Sequence, residues 1–171
     1  ALLIGPRIGF GKEPMPPHNM PMTMIGASLL WAGWFGFNVG SELAADGVAG
    51  AVMINTQVAT AAAVLGWLLI ESLQKGKASM LGGASGAIAG LVAITPACAV
   101  VGPMGAIILG FVASLVAYWA CTSLKKVIGY DDSLDVFGIH GVAGIIGAIG
   151  LAILMSPTFG GVGFDEGVSM A

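Results

Sequence analysis

Between residues 21 and 156 the sequence runs through five long apolar stretches, with charge confined almost entirely to the short connections between them. The stretches cover about residues 21–39, 47–70, 80–101, 104–124 and 134–156. Each is long enough to cross the ~30 Å hydrocarbon core of a bilayer. Lipid offers the backbone no hydrogen-bond partners, so segments of this kind must satisfy their own N–H and C=O groups and are expected to be helices. Only 9% of the residues are charged and 57% are apolar, whereas a soluble domain carries roughly 25% charged residues. The expected fold class is therefore all-α, a polytopic membrane helix bundle, with residues 1–171 read as one transmembrane domain. A net charge of −3 without a basic patch points away from nucleic acid. The opening "ALLIGPRIGFGKE" has no initiator Met and no recognisable signal peptide. It reads as the end of an apolar helix, and the chain as the middle of a longer polypeptide.

The connections give the bundle a direction. Arg7, Lys12, Lys75, Lys77, Lys125 and Lys126 all fall in alternate connections and so on one side of the membrane. The other side receives Glu42, Asp46, the turn around Gly102, and Asp165 with Glu166. By the positive-inside rule the basic side is cytoplasmic in a multi-pass protein of the cell membrane.

Many of the 28 glycines lie inside the apolar stretches. A mid-helix Gly costs roughly 1 kcal/mol relative to Ala in water, but in lipid small residues let helix backbones approach. "GFNVG" (Gly36, Gly40) and "GAIAG" (Gly86, Gly90) have this small-xxx-small form. In the last stretch Gly138, Gly141, Gly144, Gly147 and Gly150 recur every third residue. That stripe winds around the helix and suits tight packing, or, as the alternative, a narrow pore wall. Cys98 and Cys121 read as small packing residues.

Few residues inside the stretches can do chemistry. His140 lies about 9 Å into the last one, and ionisable groups at such depth usually face an interior pathway. A neutral imidazole offers one N–H donor and one lone pair, which suits a small polar solute or a proton relay. The other reading is a ring hydrogen-bonded to a neighbouring helix. Asp135, beside Asp131 and Asp132, is placed to cap that helix or to set the tautomer of a nearby ring. His18, in "MPPHNMP", reads as an interfacial residue without chemistry. Trp31, Trp34, Phe35, Phe37, Asn38 and Ser41 gather toward the outer end of the first stretch. They form either an interfacial aromatic belt or a cation site built from aromatic faces and a hydroxyl. Asn55, Thr56 and Gln57, and Thr95 with Pro96, read as interhelical hydrogen-bonding patches. No Walker loop, zinc spacing, nucleophile elbow or pair of carboxylates lies within the stretches. No enzymatic chemistry, cofactor or metal site is expected.

Three motifs in order, "GWFGFN" (Gly33 to Asn38), "GAIAGLVAITPA" (Gly86 to Ala97) and "DVFGIHGVAGI" (Asp135 to Ile145), resemble the ammonium transporter family of Amt, Mep and Rh proteins, and most of all its microbial Amt branch. The likeness runs over essentially the whole chain. It implies an eleven-helix fold with inverted five-helix repeats, assembled as a homotrimer with a pore in each subunit. This chain would supply the end of the fifth span and the sixth to tenth, the second half of that fold. By resemblance Phe37 is a pore gate, and Ser41 and Trp34 join it at an outer ammonium-recruitment site. His140 matches the second of the twin pore histidines, and Asn38 and Thr95 match residues near the pathway. The first pore histidine, the first-half tryptophan and phenylalanine, an acidic residue beside the recruitment site and the eleventh span have no counterpart in the chain. The implied function is ammonium transport: recruitment of the cation outside, loss of a proton, and passage of ammonia through an apolar pore. A PII-type regulator is the implied cytoplasmic partner. An Rh-like gas channel and an Amt-like ammonium sensor are the alternatives.

Overall fold

The computed structural model describes residues 3–163; Asp165 and Glu166, expected on the outer side, lie outside that range. All regular structure among the described residues is helical. The helices are α1 (Met20–Asn38), α2 (Gly47–Lys75), α3 (Met80–Ile94), α4 (Pro103–Ile128) and α5 (Phe137–Leu154).

Their starts follow from short polar caps that supply acceptors to orphan N–H groups. The side chains of Asn19, Asp46 and Ser79 accept from the backbone N–H groups of Met22, Ala49 and Gly82 at 2.9–3.0 Å. Pro103 opens α4 in the first turn, where a missing donor costs nothing. Gly76, at φ 78°, closes α2 in the left-handed conformation that glycine tolerates.

By length and composition α2, α4 and α5 can each cross a membrane, whereas α3 is apolar but shorter. The sequence leads one to expect α3 to continue to Val101. It stops at Ile94, and residues 95–101 run on as tight turns. Pro96 has no N–H to continue the ladder, and the bonds tighten to Thr95 N–H with Val92 O and Ala97 N–H with Ile94 O. Carbonyls freed in this segment are recovered from another helix: Asn55 of α2 donates to Cys98 O at 2.9 Å and Val101 O at 2.8 Å. Asn55 and Thr56 of the polar patch are thus buried interhelical partners, as expected, whereas Gln57 is exposed and takes no part.

The centre of the molecule is a slab of α2, α3 and α4 held by small residues. A Cβ on Gly90 would lie 2.8 Å from Thr60 Cα, and one on Gly110 would lie 2.1 Å from Ala59 O. Backbone therefore meets backbone across both contacts, the geometry that small residues permit in lipid. Two apolar clusters fill the slab, one around Val52, Ile94 and Leu109 and one around Trp67, Val92 and Tyr118. "GAIAG" takes part in this packing; "GFNVG" does not, since a Cβ on Gly36 or Gly40 would meet nothing within 4 Å. The glycine stripe of α5 is largely a packing surface, with Gly147 against Ala93 O of α3 and Gly150 against Leu109 of α4.

Contacts along the helices fix their directions. Ala59 meets Gly110 and Gln74 meets Tyr118, so α2 and α4 run parallel. Glu71 meets Ser79 while Ala63 meets Gly90, so α3 runs against α2. Cys121 meets Gly138 and Leu109 meets Gly150, so α5 runs against α4. The chain therefore alternates up and down. Lys75, Lys77, Lys125 and Lys126 share one end with Arg7, whose guanidinium pairs with Asp131. Gly102 packs on Gly160 at the other end.

Candidate functional site

Trp34 and Phe37 lie three residues apart on α1, and that spacing puts their side chains on one face. Their rings meet edge to face, with centroids 5.7 Å apart and planes at 79°. Across the gap to α5, the Trp34 ring lies 6.2 Å from the His140 imidazole. The indole is fixed from the α3 side: Trp34 Nε1–H donates to Thr95 Oγ1 at 2.8 Å, and the Thr95 hydroxyl donates to Leu91 O at 2.7 Å. Phe37, Trp34 and His140 thus stand in a row that crosses from α1 to α5. Thr95, beside the break at Pro96, holds its middle member.

The remaining predicted residues take distinct places. Asn38 is buried and turns toward α2, where its Nδ2 donates to Thr56 Oγ1 at 3.1 Å. Ser41 is exposed one turn beyond Phe37 and donates to the Phe37 carbonyl. A hydroxyl oxygen that donates its proton in this way still has lone pairs to accept with. The side chain of Asp135 does not cap α5, contrary to the first of its two sequence readings. The carboxylate of Asp132 accepts from Val136 N at 3.0 Å and Phe137 N at 2.8 Å. Asp135 stands in a left-handed conformation, φ 55°, with its carboxylate paired to Lys125. The nearer acidic neighbour in sequence is therefore not the cap.

His140 sits on a π-helical turn, Phe137–Val142, at the start of α5. Such turns insert one residue into the helical ladder and frequently occur at functional sites. Residue patterns carry no mark of this one. The imidazole is exposed and borders two hollows. One, of about 740 Å³, lies between α1, α3 and α5, with His18, Asn19, Ser85 and Asp135 also on its wall. His18, read from sequence as an idle interfacial residue, thus shares a cleft with His140. The other hollow, about 1020 Å³, is lined by Leu3, Tyr130, Val136, Phe137 and Gly141 as well as His140. Tyr130 packs edge-on to Phe137, centroids 5.7 Å apart. Burial, and after it the charge of Asp132, push the Tyr130 phenol above its ordinary range, so the ring remains uncharged there. Among the described residues no group of three or more His, Cys, Asp or Glu is arranged to hold a metal ion. The arrangement forms no bonds by itself. It offers two aromatic rings beside a separate shallow hollow with Leu29, Leu30 and Gly33, and behind them an imidazole on two larger hollows whose walls are mostly apolar.

Comparison with known proteins bears on the chain as a whole. The sequence model of the Ammonium Transporter Family matches residues 1–169. An ammonium transporter of Mycobacterium tuberculosis is 48% identical over 169 residues, which are 99% of this chain and 35% of that protein. The crystal structure of Saccharomyces cerevisiae Mep2 superposes with a TM-score of 0.76 at 37% identity, over 81% of this chain and 32% of that one. A structure described as a sensor Amt protein gives a TM-score of 0.84 at 30% identity, over 92% of this chain and 40% of that one. The chain spans about a third of the length of the curated relative, with 35% of it covered. An all-α membrane bundle carrying these motifs, matched in sequence from end to end and in fold, belongs to the ammonium transporter family, a family of transporters and not of enzymes.

Proposed function

We propose that this chain forms the second half of an ammonium pore, the part equivalent to the end of the fifth span through the tenth of an eleven-helix fold with inverted repeats. The single observation that carries this reading is the row of Phe37, Trp34 and His140, in that order from the outer end of α1 toward the basic end of α5. Ammonium is too costly to move intact through hydrocarbon without compensating partners. At the outer end, the faces of Phe37 and Trp34 attract a cation by ~0.5–2 kcal/mol each. The Ser41 oxygen, its proton committed to the Phe37 carbonyl, accepts from the cation. Loss of a proton leaves ammonia, which is small and uncharged. In the cleft beyond, a neutral imidazole at His140 would exchange one donated and one accepted hydrogen bond with it. The partner histidine, the second aromatic gate and the remaining wall come from segments outside this chain. The basic end, with Arg7, Lys12, Lys75, Lys77, Lys125 and Lys126, faces the cytoplasm by the positive-inside rule. Assembly as a homotrimer and docking of a PII-type regulator rest on the family resemblance alone.

A second reading has one specific observation in its favour. The fold is shared with a structure described as a sensor Amt protein, TM-score 0.84, and ammonium sensing is therefore the second reading.

Both readings meet one experiment. The complete polypeptide is sealed into liposomes, and transient current and internal pH are recorded after an ammonium pulse, for wild type and His140→Ala. The pore reading expects a saturable wild-type current that disappears in the variant. A pH change without current indicates passage of uncharged ammonia only. Silence on both channels removes the transport reading and leaves the sensor.

A further inference from the structure

Two π turns occur among the described residues, and they face each other. One, Ala120–Leu124, interrupts α4 near its basic end; the other, Phe137–Val142, begins α5 and carries His140. Their contact is made by a residue with no side chain and a residue with a sulfur. Gly138 is buried, and a Cβ there would lie 2.4 Å from Cys121 Sγ, 3.2 Å from Cys121 N and 3.5 Å from Ala117 O. The space that any other residue would fill at position 138 is thus occupied by the Cys121 thiol. A second tie lies one turn away, where Lys125 Nζ donates to Asp132 O at 3.1 Å and pairs with the Asp135 carboxylate. Both ties join the π turn of α4, or the residue after it, to the entry of α5.

The register of such a turn matters for function. One residue more or less in the ladder turns every later side chain by about 100° around the axis. His140, two residues beyond Gly138, then faces a different neighbour. We propose that the Cys121–Gly138 contact is a positioning joint that sets the π turn of α5 against that of α4 and so aims His140 into the cleft. This rests on the reading of His140 as a pore residue. It goes beyond that reading by naming Cys121 and Gly138 as positioning residues that touch no permeant species themselves.

The test uses the full-length transporter in liposomes, with the ammonium-evoked current measured across a range of pH. Gly138→Ala forces at least about 1 Å of separation to restore ordinary van der Waals contact with the thiol. Misplacement on that scale lowers rates by as much as roughly a hundredfold. The expected result is a current at least tenfold below wild type at equal protein (roughly, by the same argument), with a displaced pH profile. Cys121→Ala/Gly138→Ala removes the sulfur that the new methyl meets and leaves Cys121 N as its one tight neighbour, at 3.2 Å, a contact that a small backbone shift relieves, so it restores the current and the wild-type pH profile. A Gly138→Ala protein that transports like wild type overturns the proposal. So does a double variant that stays as impaired as the single one. If Gly138→Ala does not accumulate in the membrane, the double variant decides alone: wild-type current and profile support the joint, and absence of either refutes it. A wild-type protein that carries neither current nor pH change instead refutes the pore reading, and the joint's role falls with it.

Discussion

Glu71 is a buried carboxylate, only 5% exposed, at the basic end of α2. It accepts from Ser79 N at 3.0 Å, from the Ser79 hydroxyl, and from Lys75 Nζ at 3.1 Å. The same Ser79 caps α3, so one knot of side chains ties the last turn of α2 to the first turn of α3. Glu71→Ala strands the Ser79 amide and vacates the site. It is expected to cost ~1–3 kcal/mol, read as a lower midpoint of thermal unfolding in detergent, while Glu71→Gln keeps one acceptor and loses less. Nothing in the amino-acid pattern marks Glu71 as buried, because a carboxylate just past an apolar run looks like a loop charge. His140 and Trp34 are different. An ionisable ring inside an apolar run stands out before any coordinates, and Trp34 stands out as part of an aromatic cluster that an interfacial belt would also explain. Asn38 is recognisable only as polar. Its attachment to Thr56, 18 residues away, belongs to three-dimensional packing.

At the scale of elements, hydropathy gives the long helices and misses their irregularities. The periods of α2 and α4 are legible because lipid and core demand apolar side chains along the whole length. The stop of α3 at Ile94 is not, because residues 95–101 remain apolar after the helix has ended. Their carbonyls are served by Asn55, 43 and 46 positions earlier. The π turns leave no compositional trace either, since a single inserted residue barely alters the hydropathy or length of a stretch. The entry of α5 offers a direct check on capping. Asp132→Ala should remove both side-chain acceptors at Val136 and Phe137 and weaken that terminus by ~0.5–2 kcal/mol. Amide hydrogen exchange at those two residues should then accelerate. Asp135→Asn should leave their protection as it is, because Asp135 bonds to neither amide through its side chain. Equal exchange in the two variants would show that the cap has been assigned to the wrong aspartate.

For the molecule as a whole, alternation of five helices gathers the basic residues at one end and leaves Glu42 and Asp46 at the other. If that basic end is cytoplasmic, a cysteine replacing Lys77 in a cysteine-free background should react with a membrane-impermeant maleimide only from inside. One replacing Glu42 should react only from outside. The reverse pattern would overturn the orientation. The architecture was legible at this scale because charge segregation and helix length are both properties of the chain as a line of residues. The distribution of stiffness was not. Where Gly90 and Gly110 bring α2, α3 and α4 backbone to backbone, no compliant layer of side chains separates them. The three helices must therefore move as one rigid keel. Gly147 ties α5 to that keel in the same way, its Cβ position 2.2 Å from Ala93 O, whereas the glycines of α1 meet nothing within 4 Å. If a solute passes His140 as proposed, the flexing it needs falls to α1, the gunwale that no such contact fastens to the hull.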